Sequence, residues 1–296
     1  MRIGITGSSG LIGTALRQQL EAEGHEVRRF LRGKPEDPEA VWSPAGGWIR
    51  PGALEGLDAI VHLAGESIGE GRWTKSRKAE LRASRIDSTR LLVSELERIA
   101  NPPALIAASA VGIYGNRGDE ILDEASPSGT GFLAELTREW EAEAFRAQGA
   151  GARTVALRFG VVLAPGAGAL KRMALPFKFG LGGRLGDGRQ WFSWVALEDA
   201  VAVIQRAIAT DMSGVYNVTA PTPVTNRELT KALAGVLRRP ALFAVPGFAL
   251  RAILGEAADE LLLASQRVMP RRLAEAGFAF RYPEIAGALS AALKGS

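Results

Sequence analysis

The 296-residue chain has no cysteine, only two histidines (His25 and His62), three tyrosines and seven lysines. Without cysteine there is no disulfide framework, zinc ribbon, iron–sulfur ligation or thiol nucleophile. Two histidines exclude a multi-histidine metal site, and no metal is expected. Long apolar runs are missing as well. No stretch approaches the ~18 uninterrupted apolar residues of a membrane helix, and the apolar segment 241–254 is broken by Pro246, Gly247 and Arg251. The N-terminal MRIGITGSSG lacks the long apolar region and cleavage site of a secretory signal. The expectation is a cytoplasmic protein with no membrane partner.

Charge of either sign is not concentrated. The net charge is +4, and most of the 36 basic residues are arginines interspersed with 32 acidic ones. No basic run resembles a nucleic-acid footprint, so no nucleic-acid partner is expected. What the chain has in excess is glycine, 35 residues, or nearly 12% against a typical ~7%. It follows no collagen-like period, so its placement carries the information.

Residues 2–6 read as a short apolar strand, followed by Leu11, Ile12, Leu16 and Leu20 at helical spacing. Further strands are expected at 25–31, 59–63, 104–109 and 153–159, with helices near 85–100 and 132–148. Strands apolar on both faces alternating with helices indicate an α/β fold, a Rossmann-type doubly wound parallel sheet. The rhythm breaks near residue 160. Residues 160–188 carry eight glycines and little strand or helix pattern. A strand returns at 216–218, a capping box (Thr225, Glu228) opens a helix that Pro240 stops, and helical segments follow. The expected plan is a nucleotide-binding domain over 1–165, with 190–222 returning to it. Residues 166–189 and 223–296 form a smaller C-terminal, substrate-side lobe.

The strongest motif is Thr6-Gly7-Ser8-Ser9-Gly10-Leu11-Ile12-Gly13, set between a strand and a helix. Its glycines permit a tight turn, close backbone approach to a pyrophosphate and close helix packing, and the helix N-terminus offers amide donors. Its spacing lacks the Lys-Ser/Thr of a P-loop. Nineteen residues beyond Gly13 stands Arg32, with Arg29 nearby and no carboxylate before Glu36. An acidic residue there would bind a ribose 2′-hydroxyl; an arginine suits a 2′-phosphate, so NADP is the expected cofactor.

TGSSGLIG, HLAG (62–65), SAVGIYG (109–115), DEASP (123–127) and LRFGVVL (157–163) occur in the order found in extended short-chain dehydrogenases and sugar-nucleotide epimerases. Together with GESIGEGRWTKSRKAELRASRIDST (65–89) and GGRLGDGRQWFSWVALED (182–199), they make the chain resemble the atypical, epimerase-like subfamily with its own C-terminal domain. The resemblance implies that Gly7, Gly10, Leu11, Ile12 and Gly13 line the pyrophosphate and that Arg32 meets the 2′-phosphate. Leu63, Ala64 and Gly65 would lie beside the adenosine half. Glu80, Arg85 and Val161 match positions that face the cofactor. A homodimer formed through the two mid-sheet helices is the family-level expectation.

One departure stands out. The wider superfamily carries Tyr-x-x-x-Lys on its fifth helix, the tyrosine for proton transfer and the lysine to lower its pKa. The matching positions here are Phe132 and Leu136, which fill neither role. The usual serine or threonine position falls on Ala110. Tyr114, after the fourth strand, is the candidate replacement proton donor, with Ser109 as its hydrogen-bond partner; the competing reading makes Tyr114 a packing anchor. His62 reads as a packing residue, Asp119, Glu120, Asp123 and Glu124 as solvated, and Asp199 as a helix N-cap. The glycine-rich stretch with Trp191, Phe192 and Trp194 reads either as a substrate cover or as packing for the C-terminal lobe. The functional expectation is an NADP-dependent oxidoreductase or epimerase-like enzyme on an unidentified small molecule. The alternative is a non-catalytic NADP(H)-binding sensor.

Overall fold

The computed structural model describes residues 1–294. Strand β1 (Arg2–Thr6) runs into α1 (Leu11–Ala22), and the chain returns as β2 (Glu26–Phe30) and, after a short excursion, β3 (Ala59–His62). Helix α2 (Lys75–Arg82) continues through a π-helical turn, Ala83–Asp87, into α3 (Ser88–Leu96). Then come β4 (Ala104–Ala110), α4 (Phe132–Phe145) and β5 (Thr154–Phe159). Beyond these lie β6 (Val161–Leu163), α5 (Gly168–Lys178), β7 (Gly183–Leu185), β8 (Trp194–Ala196), α6 (Leu197–Ala209) and β9 (Gly214–Val218). The last part contributes α7 (Asn226–Leu237), β10 (Phe243–Val245), α8 (Gly247–Leu254) and α9 (Ile285–Lys294).

Six strands form one parallel sheet in the order β9-β5-β4-β3-β1-β2. Parallel neighbours need crossovers, and helices supply them on both faces. Side chains alternate between those faces. Ile3, Ile5, Val61, Ile106 and Val155 face one way, onto α1 and α6. Ile60 and Leu105 face the other, onto Leu92, Val93 and Leu96 of α3. The strand order reverses at β1, with β3 on one side and β2 on the other, which is where such sheets open a ligand crevice. Register sets its shape: Thr6 is paired with Phe30 and with His62, so Gly7, Leu31 and Leu63 leave the sheet side by side.

A second core sits beyond β5. Leu163, Leu170, Phe177 and Trp194 pack against Leu229 and Leu233 of α7 and Leu289 of α9. Residues 160–188 are thus more ordered than their glycine content predicts. In α5, Leu170, Ala174 and Phe177 form a buried helical stripe, while Pro176, inside the last turns, cannot donate an N–H to the helix ladder. The helix expected at 85–100 is the second half of a longer helical stretch that starts at Lys75, passes through the π-turn and ends at Leu96. Helix α7 opens with the Thr225–Glu228 capping box but ends at Leu237, ahead of Pro240, with Arg238 in the left-handed region at φ 52°.

Candidate active site

The turn between β1 and α1 is built by close contact. Gly7 has φ +65°, and a Cβ there would stand 2.8 Å from the Leu63 carbonyl. A Cβ on Gly13 would stand 2.2 Å from the Gly7 oxygen, so no side chain fits at this helix–turn junction. Gly10 is the N-cap of α1 and no side chain caps the helix, so the amides of Leu11 and Ile12 in its first turn keep their donor capacity. A cavity of about 170 Å³ opens beside the turn, lined by Gly7, Gly10, Arg32, Trp42 and Leu63–Gly65, among others.

The floor of this crevice is fixed by a buried polar chain. Thr6 Oγ1 accepts the backbone N–H groups of Leu63 and Ala64 at 3.1 and 3.2 Å. Its own proton therefore goes to His62 Nδ1, 2.7 Å away. On the other side, Thr89 Oγ1 donates to the Arg85 carbonyl and accepts from Trp140 Nε1. It is left to accept from His62 Nε2 at 3.0 Å. The network thus assigns the Nε2–H tautomer, and burial lowers the His62 pKa to about 4. A neutral, structural imidazole holds the β3 turn, in agreement with the packing role expected of it.

The basic residues divide by environment. Arg32 is 70% exposed and touches Glu66 at only 3.5 Å, so its guanidinium is available at the mouth of the crevice. Arg29 Nε reaches Ser8 Oγ at 3.4 Å, which brings a second cation to the glycine turn. Arg85 is different. Its guanidinium packs on Gly65, donates to the Glu66 carbonyl at 2.8 Å and lies over the Trp140 ring. It makes no ion pair among the described residues, and burial pulls its pKa down to about 10. Glu80 is not drawn to the crevice: it is 56% exposed and pairs with Arg77 at 3.0 Å. Arg77 in turn donates to the Ser67 carbonyl, so the pair braces the loop after β3. Val161 lies past β5, outside the 170 Å³ cavity, with its N–H bonded to Ser193 O at 2.9 Å.

The start of α4 is sealed. Phe132 and Leu136 are buried with Trp73, Leu81, Ile86 and Ala257 in one apolar cluster. Trp73 meets the Phe132 ring edge-on at 5.2 Å, and Lys78 Nζ stands 4.9 Å from the ring centroid. Glu260 closes the helix end by accepting the Phe132 and Leu133 amides. This environment suits a phenylalanine and a leucine; a phenol and an ammonium would lose their hydration here without replacement partners.

The expectation that Tyr114 replaces the missing donor is corrected by its surroundings. Tyr114 is 0% exposed. Its hydroxyl lies 2.8 Å from Asn217 Oδ1 and 2.9 Å from the Asp123 carbonyl, and it accepts from Arg158 Nη1 at 2.9 Å. Burial is the main cause raising its pKa. Ser109 does not partner it either, since its Oγ donates to Glu141 at 2.5 Å. Glu141 also holds Arg158 through two bonds of 2.8 Å. Burial works against the Arg158 charge, but Glu141 outweighs it and keeps the guanidinium above its ordinary pKa. Tyr114, Ser109, Glu141 and Arg158 form a closed structural network linking β4, α4 and β5. Sequence spacing gave no sign of it.

Other expectations are revised by the same kind of contact. Trp194 is fully buried in the second core, Phe192 packs against that core, and the Arg267 guanidinium stacks on Trp191 at 4.3 Å. These rings pack against the second core and the Arg267 side chain; they do not form an open wall. Asp119 accepts from Trp191 Nε1, Glu120 pairs with Arg117, Asp123 with Arg271, and Glu124 accepts the Asn217 amide. Asp119 and Glu120 stay exposed, as expected of solvated residues, while Asp123 and Glu124 are half-buried. Asp199 lies inside α6 and accepts the amides of Arg281 and Tyr282 at 2.7 and 3.0 Å, joining two segments where a cap was expected.

Comparison with known proteins places this geometry in context. The profile of the NAD dependent epimerase/dehydratase family matches residues 3–219, and that of a domain of unknown function matches 245–292. An epimerase family protein of Mycobacterium bovis is 47% identical over 289 residues, covering 97% of this chain and 96% of the relative. The human epimerase family protein SDR39U1 is 36% identical over 98% of both chains. A crystal structure of the human protein with NADPH superimposes with a TM-score of 0.90 at 34% identity over the whole of both chains. A UDP-glucose 4-epimerase of Thermus thermophilus, in complex with NAD, shares the fold at 18% identity and a TM-score of 0.75.

Proposed function

The chain belongs to the NAD dependent epimerase/dehydratase family, and on that premise we propose that it is an NADP(H)-dependent oxidoreductase or epimerase-like enzyme acting on a small organic substrate. The observation that carries this reading is the crevice between β1 and β3. It combines a glycine cradle with no room for a Cβ, uncapped helix amides and two arginines at the β2 end. The NADPH in the human SDR39U1 structure supports the same reading.

The roles follow from the geometry. Gly7, Gly10 and Gly13 let the backbone approach a pyrophosphate, and the amides of Leu11 and Ile12 with the α1 dipole favour its charge. Arg32 and Arg29 take the 2′-phosphate, where a guanidinium gives charge-assisted bonds that a 2′-hydroxyl would not use. Leu63, Ala64 and Gly65 border the adenosine half. Arg85, anchored on the Glu66 carbonyl, and Val161, past β5, stand on the reaction side. Bound there, NADP(H) would bring hydride chemistry through its nicotinamide, held in place by the glycine turn and the two arginines. Proton transfer is not assigned to Phe132 or Leu136, whose side chains carry no proton to transfer, or to Tyr114, whose hydroxyl is buried among Asn217, Asp123 and Arg158.

The sealed Phe132 cluster favours a second reading, a non-catalytic NADP(H) sensor. Calorimetric titration with NADPH and NADH, followed by a turnover screen on carbonyl compounds and sugar nucleotides, separates the two. Tight NADPH binding with turnover supports the enzyme. Binding without turnover across both panels supports the sensor, and absence of binding overturns both.

A further inference from the structure

Among the described residues, seven of the nine large apolar side chains that stand open to solvent lie in two segments of the C-terminal part of the chain, 164–186 and 229–255. Leu242 is 86% exposed, and Phe179 and Phe248 are each 73% exposed. The two segments are joined by the parallel pairing of β7 with β10, in which Gly183 faces Phe243. Phe179 and Leu181 lead into β7, Leu242 precedes β10, and α8, which carries Phe248 and Ile253, follows β10 after Pro246 alone.

Charge in these segments has one sign. Each contains four Lys or Arg residues and neither contains a single Asp or Glu. On α5, Lys171, Leu175 and Lys178 share one exposed face, about 100° around the helix from the buried stripe. Arg172 and Arg251 pair with Glu70 and Asp259 from outside the segments. Lys178 and Arg184 make no ion pair among the described residues.

We propose that this face docks on the surface of an anionic lipid bilayer. Phe and Leu side chains among cations match what interfacial segments present to headgroups and upper acyl chains. A protein interface differs, since its core is depleted of charge and lysine is disfavoured there. A second copy of the chain is disfavoured too, because a two-fold contact would set two faces with an excess of cations against each other. No helix among the described residues is long and apolar enough to cross a membrane, so the association is peripheral. It does not depend on the reaction catalysed.

The test is flotation of the full chain with phosphatidylglycerol-rich vesicles and with pure phosphatidylcholine vesicles, at low and high salt. Binding is expected to the anionic vesicles only and to weaken with salt. Lys178→Ala and Arg184→Ala should each lower the partition about five-fold, from ~1 kcal/mol per surface cation. Phe179→Ser and Phe248→Ser should each lower it about ten-fold. NADPH affinity should stay unchanged in all four variants, which shows that they fold. No flotation by folded wild-type protein overturns the proposal, as does equal flotation with neutral vesicles. Dimers that Phe248→Ser dissociates, or capture of an acidic protein in place of vesicles, would assign the face to a protein and also overturn it.

Discussion

Glu260 accepts the Phe132 amide at 2.8 Å through one carboxylate oxygen and the Leu133 amide at 2.7 Å through the other. A carboxylate from the C-terminal part of the chain thereby caps α4 at Phe132, the position that the sequence resemblance matches to the superfamily's tyrosine. Both bonds are charge-assisted and aligned with the helix dipole. Glu260→Ala is expected to cost about 1–2 kcal/mol in chemical denaturation. Unchanged stability would show that water satisfies those amides equally well.

Arg32→Ala should remove most of the preference for NADPH over NADH. One charge-assisted contact to a 2′-phosphate is worth ~1.5–3 kcal/mol, so NADPH affinity should fall about ten-fold or more while NADH affinity barely moves. A parallel loss for both cofactors would place Arg32 elsewhere on the ligand.

Gly13→Ala puts a Cβ 2.2 Å from the Gly7 oxygen, which only a backbone shift can relieve. Overpacking of this kind costs ~1–3 kcal/mol. Here the shift also opens the turn, so NADPH binding should be lost in protein that is still folded by circular dichroism. Retained wild-type affinity would argue against the turn as the pyrophosphate cradle.

Tyr114→Phe leaves Arg158 Nη1 without its acceptor and Asn217 Oδ1 without its donor inside the core. A stability loss of about 1–3 kcal/mol is expected, with cofactor affinity unchanged. Glu141→Ala is more severe, because it strands the Arg158 charge; such broken buried pairs cost ~3–5 kcal/mol. Turnover that disappears in a fully stable Tyr114→Phe protein would return the tyrosine to the reaction.

His62 gives the fold an acid sensitivity. Its pKa is about 4 when folded against 6.5 as a free side chain, because burial favours the neutral ring. Between those values the unfolded chain binds the extra proton, so stability is full above pH 6.5 and falls as the pH drops toward 4. The contribution is about 3 kcal/mol. Denaturation midpoints measured across that window should follow this slope, and His62→Gln should flatten it. An identical slope in the variant would assign the acid sensitivity to carboxylates.

The sequence by itself determined the alternation of strands and helices, the glycine turn, the arginine after the second strand and the absence of a tyrosine–lysine pair. Each is a local fact: a spacing of apolar residues, a backbone without Cβ, or a side chain present or missing. The tertiary structure decided what surrounds them. Ser109 and Tyr114 are near neighbours in the sequence, but Glu141 and Arg158, 32 and 44 residues away from them, claim their hydroxyls. Glu260 reaches Phe132 across 128 residues. Whether a hydroxyl or carboxylate is free to react depends on burial and on partners brought in by sheet order and register. The crevice was therefore legible in the sequence, whereas the closed network behind it and the sealed start of α4 exist only once the strands are paired.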